Sequence, residues 1–80
     1  MIKLHYAECK IKKTDDGWFE GVPEFETTLV HLNQEMADAF VAQAKARIKE
    51  LGKGYYIHID IEENGELKDV LKIHPDKIYR

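Results

Sequence analysis

The residues in this chain whose types could do chemistry are its histidines, its one cysteine and the carboxylates around Asp60–Asn64. His5, His31, His58 and His74 lie far apart along the chain, without the close ligand spacing of a structural zinc site. The stretch Asp60-Ile61-Glu62-Glu63-Asn64-Gly65, followed by Leu67, resembles the first half of a calcium loop. Position twelve of such a loop would be Leu71, where calcium needs a bidentate glutamate, so the stretch reads as a hairpin. No metal or other cofactor is expected. Cys9 would be a nucleophile only if a histidine approached it, and its apolar-parity position beside Ile11 predicts a small buried hydrophobe. No Ser, Thr or Cys sits in a nucleophile motif, and no glycine-rich loop precedes a helix to hold phosphate. The chain is therefore not expected to be an enzyme.

Binding chemistry is better represented. Lys10, Lys12 and Lys13 form a compact basic group near Trp18, an aromatic able to stack on a base. Lysines are also a common guard on an edge strand. The net charge of −3 and sequence pI near 5.8 argue against a surface built for nucleic acid. Tyr56, His58 and Asp60 share the outward parity of one strand and, with Trp18, are the candidate binding residues, because exposed aromatics favour interfaces.

The elements that must position these residues follow from periodicity. Ile2, Leu4 and Tyr6 share one parity and Ala7, Cys9 and Ile11 the other, which predicts a strand with a β-bulge near Tyr6-Ala7 or one buried on both faces. Asp15-Asp16-Gly17 supplies a three-residue loop that sets Lys12 opposite Glu20 and Lys10 opposite Val22. A second strand runs from Trp18 to Val22 and is expected to end at Pro23, which cannot donate to a ladder. Phe25–Val30 then reads as a third strand. Asn33 is a good N-cap, and residues 34 to 51 form an amphipathic helix. Its apolar face is Met36, Ala37, Phe40, Val41, Ala44, Ile48 and Leu51, and Gly52 closes it. Tyr55, Ile57, Ile59 and Ile61 alternate with polar partners as the clearest strand, whose isoleucines should meet Phe40, Ala44 and Ile48. A three-residue Glu63-Asn64-Gly65 loop would set Leu67 opposite Ile61 and Leu71 opposite Ile57; a two-residue Asn-Gly turn would bring Lys68 and Lys72 there instead. Glu66–Ile73 reads as a strand, with a short helix as the alternative, and the tail from His74 to Arg80 as irregular.

The expected fold is α+β, a single domain with an antiparallel sheet and one helix on one face, in the order β-β-β-α-β-β. Eighty residues support one small core, and self-association that buries more apolar surface would stabilise it, so a homodimer is expected. Its contact surface would be the outward sheet face at Tyr56 and His58, or the stripe Ala39, Ala42 and Ala46 on the helix. The single cysteine, with no export signal and no apolar run long enough to span a bilayer, points to a reducing, cytoplasmic setting and no membrane.

Asp16-Gly17-Trp18-Phe19-Glu20-Gly21-Val22-Pro23-Glu24-Phe25, followed by a strand and an alanine-containing helix with early acidic residues, resembles the HicB antitoxin family. The resemblance spans residues 6 to 51. It implies a partial ribonuclease-H-like fold without catalysis, and binding to a small toxin that cleaves messenger RNA. The chain departs from the family where Glu26-Thr27 replace the usual Pro-Gly, and its length leaves no room for the DNA-binding domain many members carry. The resulting expectation is a protein-binding module of antitoxin type; the alternative is a structural or accessory homo-oligomer of phage or mobile-element type.

Overall fold

A long strand whose inward parity changes midway opens the chain, and the sheet is laid on both of its edges. The computed structural model describes residues 1–79. Its elements are β1 (Ile2–Lys13), β2 (Phe19–Leu32), α1 (Gln34–Leu51), β3 (Tyr55–Glu63), β4 (Glu66–Ile73) and β5 (Ile78–Tyr79). They form one antiparallel sheet in the order β2-β1-β3-β4-β5, with α1 packed over β1, β3 and β4. The α+β class with one helix on an antiparallel sheet is as expected, but the order is β-β-α-β-β with a short fifth strand. No helix among the described residues is long and apolar enough to cross a membrane.

The two strands expected on either side of Pro23 are one. β2 is the edge strand, where a missing N–H can face away from the ladder. The register also shifts there: Phe25 pairs with Glu8 and Pro23 with Cys9, leaving Glu24 as an extra residue. That bulge absorbs the proline without ending the strand. β1 itself carries no bulge against β3, with which it pairs without a shift from Ile2 to Lys10. Its parity change arises because it is buried on both faces. Ile2, Leu4 and Tyr6 lie on the helix side and Cys9 on the other. The Asp15-Asp16-Gly17 loop forms as expected, with Gly17 at φ 86° and Lys12 opposite Glu20.

The β3–β4 hairpin resolves its register by a different route from the one expected. Asn64 and Gly65 both adopt positive φ, 54° and 84°, the geometry of a two-residue type I′ turn. Glu63 faces Glu66 and Glu62 faces Leu67; Lys68 is then an extra residue, after which Ile61 faces Asp69, Ile59 faces Leu71 and Ile57 faces Ile73. The expected pairs Leu67–Ile61 and Leu71–Ile57 do not form. One bulge does what the longer loop was expected to do and returns Leu71 and Ile73 to the core side. Beyond His74 the chain is not wholly irregular: Ile78 and Tyr79 return along β4, held by a turn in which the His74 N–H donates to the Lys77 carbonyl at 2.7 Å. Arg80 lies outside the described residues.

α1 has the expected limits. Asn33 Oδ1 accepts from the Met36 N–H at 2.8 Å, and Gly52 at φ 84° donates its N–H to the Ile48 carbonyl. Leu4, Ile48, Ile57, Ile59 and Ile73 are the largest fully buried side chains, with Phe40, Val41, Leu51 and Ile61 packed around them. Met36, expected in the core, is 52% exposed. It stands one turn before Phe40 on the helix flank that turns towards β2, and α1 does not cover that strand.

Candidate protein-binding surface

Because α1 is set over β1, β3 and β4, the helix side of β2 is open around Phe25, while Leu29 and Leu32 further along the strand pack against the core. Phe25 and Thr27 stand there beside Tyr6 of β1, and Phe40, Gln43 and Arg47 of α1 form the facing wall. The groove between them encloses about 330 Å³. Tyr6 is its floor and meets two rings edge-on, Phe40 at 5.4 Å between centroids and Phe25 at 6.2 Å. Such pairs favour this arrangement electrostatically.

One end of the groove is polar and fixed. The Arg47 Nε–H donates to Glu8 Oε2 at 2.9 Å, a second guanidinium N–H reaches Glu8 Oε1 at 3.4 Å, and the Tyr6 hydroxyl donates to Glu8 Oε2 at 2.7 Å. The Arg47 bond, aided by the phenol, holds the Glu8 carboxyl below its usual range against the opposing effect of its own burial. Burial, and the carboxylate beside it, push the Tyr6 phenol well above its ordinary value. Arg47 in turn is held more firmly protonated by Glu8. At neutral pH the groove therefore presents an aromatic row ending in a satisfied ion pair.

The opposite face of the sheet carries the residues singled out from sequence. Tyr56, His58 and Asp60 do share one face of β3, and His58 Nε2 contacts Asp60 Oδ1 at 2.8 Å. His5, opposite Asp60, pairs with Glu62 and touches Thr28 Oγ1 at 3.2 Å. Tyr56 is packed against its own chain: it stacks on His74 at 5.3 Å, faces Cys9, and extends over Gly21 of β2. Cys9 is 4% exposed beneath it, and burial pushes both its thiol and the Tyr56 phenol up. Trp18 is not brought to this group. It stands 75% exposed at the tip of the β1–β2 hairpin, beside the equally open Phe19.

The sequence reading puts Phe40 on the core face of the helix and Phe25 in a strand and in the HicB-like stretch, and it joins neither to Tyr6, so it misses the groove. The available signal was Pro23: a proline inside a strand marks an edge, and an apolar residue alternating on that edge need not be covered. Among the described residues no group of three or more His, Cys, Asp or Glu side chains is arranged to hold a metal ion. Comparison of the chain with protein-family models, with curated proteins and with solved structures finds no match in any of the three.

Proposed function

We propose that the chain is a non-catalytic protein-binding module, an antitoxin-like inhibitor of a small partner protein, and that the partner seats on the groove between α1 and β2. The observation that carries this reading is Phe25, 51% exposed on the side of the sheet that elsewhere forms the core. An aromatic left open beside two others, with a polar pair at one end, has the composition of a contact surface. The HicB-like resemblance supports the same reading, because residues 6 to 51 take in most of β1 and all of β2 and α1, the three elements that build the groove.

The test is co-expression with the product of the adjacent reading frame. The expected result is co-purification in a fixed ratio, relief of any growth arrest that product causes alone, and at least tenfold weaker binding by Phe25→Asp. Phe25 is already half open, so this variant should still fold. Unchanged binding by a folded Phe25→Asp, or a neighbour that neither binds nor harms the host, would refute the reading. The unpaired outer edge of β2 favours a second reading, self-assembly of a structural or accessory protein.

A further inference from the structure

We propose that the outer edge of β2 pairs antiparallel with β2 of a second copy of this chain, centred on Thr27. This deepens the self-assembly reading and rests on it, and it does not depend on what the groove binds.

β2 ends the sheet order, so one row of its backbone N–H and C=O groups has no neighbouring strand. Such an edge is a template for pairing unless it is blunted. The blunting devices here sit at its flanks: Pro23 and the extra Glu24 on one side, and on the other the irregularity at Val30-His31, where His31 takes φ 60°. Between them Phe25, Glu26, Thr27, Thr28 and Leu29 pair in unbroken register with β1. That run has no bulge and no proline, so its other side can accept another strand.

A two-fold axis normal to the sheet keeps both helices on one side and joins like faces, so the possible centres can be compared. Centring on Glu26 sets it against itself, and centring on Phe25 sets Glu24 against Glu26. Like charges directly opposite are destabilising. Centring on Thr28 or Leu29 runs the ladder into the irregular Val30-His31. Thr27 avoids all of these: Phe25 faces Leu29 of the second copy, Glu26 faces Thr28, and Thr27 faces itself in a favourable Thr–Thr pair. The exposed Phe25 thereby gains an apolar neighbour on the helix side.

The helices allow this approach. With α1 over β1, β3 and β4, the two helices would stand apart by between three and seven strand spacings, roughly 14–34 Å. Packed helices need only about 8–10 Å. The paired edge is short, so association should be concentration-dependent.

Sedimentation equilibrium over a concentration series, with two opposite charges at one position, tests the register. Thr28→Glu sets a carboxylate against Glu26 twice in each dimer and should weaken association at least tenfold. Thr28→Lys sets an ammonium there twice and should tighten it severalfold. Both variants lose the same contact with His5, and melting curves confirm that both are folded, so only the sign of the charge separates them. Thr28 does not line the groove, so partner binding reports separately on that reading. A wild type that is monomeric at millimolar concentration would overturn self-assembly altogether. A dimer that responds alike to both charges would overturn this register and leave self-assembly standing.

Discussion

Gly21→Ala is the smallest change that should disturb the outer face of the sheet. Gly21 lies in β2 opposite Ile11, and its backbone has no positive φ that would demand glycine. What demands it is Tyr56. A β-carbon built at Gly21 would overlap the Tyr56 hydroxyl oxygen and lie 2.5 and 2.6 Å from Cζ and Cε1 of the ring. The ring must therefore swing away, forfeiting its stacking on His74, which is worth about 0.5–1.5 kcal/mol. Its departure also uncovers Cys9, and overpacking of this kind costs about 1–3 kcal/mol. Against this, alanine is better than glycine in a strand by about 0.5–1 kcal/mol. The net should be a loss of about 1–2 kcal/mol, or roughly 5–15 °C in Tm for a domain of this size. Urea unfolding measures the loss, and titration with a chromogenic disulfide measures the second consequence, faster reaction of Cys9. In a Tyr56→Leu background the same substitution should be neutral or stabilising, because the clash is gone. An unchanged stability with Cys9 still protected, or an equal penalty in the Tyr56→Leu background, would show that Tyr56 does not lie over Gly21.

Two further outcomes follow from the helix side. Ile59 is fully buried and Phe40 only partly so; Ile59→Ala should cost about 3–4 kcal/mol and Phe40→Ala about 2 kcal/mol in urea unfolding, against about 3–5 kcal/mol for a fully buried phenylalanine. Equal costs would mean that the groove is closed. Arg47→Met should destabilise only modestly at neutral pH, because solvent screens an ion pair whose arginine side chain is 44% exposed. Glu8 has a lowered pKa in the folded state, so its contribution is present above the ordinary carboxylate value and lost as pH falls through the folded one. Wild type and variant should thus converge in acid, and a gap that stays constant as pH falls through the carboxylate range in acid-unfolding curves would refute this account.

The elements most legible in the sequence were those fixed by one local pattern. The helix limits rest on Asn33 and Gly52, and the inward isoleucines of β3 on strict alternation, and both could be read from a few neighbouring residues. Register was harder, because it depends on which strand lies beside which. Pro23 reads as a stop until β2 is known to be an edge, and Asn64-Gly65 reads as a wrong turn until Lys68 is known to bulge. In both cases a local choice that looked unfavourable was made favourable by one extra residue nearby. The parity change in β1 was visible with two meanings, a bulge or burial on both faces, and the second holds; what covers Cys9 was not legible, because Tyr56 is distant in the chain and adjacent only through β1–β3 pairing.

The candidate surface shows the same division in sharper form. Tyr56, His58 and Asp60 were correctly placed on one outward face because a single strand decides it. Whether that face is open is a different question, decided by Gly21 of β2 and His74 after β4, and neither announces itself as a neighbour of Tyr56. The aromatic row of the groove needs three elements, with Tyr6 from β1, Phe25 from β2 and Phe40 from α1. It exists only because the helix lies to one side of the sheet. An amphipathic pattern reports that a helix has an apolar face, and it is silent on how many strands that face will cover. One helix over four long strands leaves part of a strand uncovered, and here it is the strand with a proline, two irregularities and an unpaired edge. Phe19, Phe25 and Val30 of β2 are among the exposed large apolar residues, and an external protein surface laid on that strand would add to their burial.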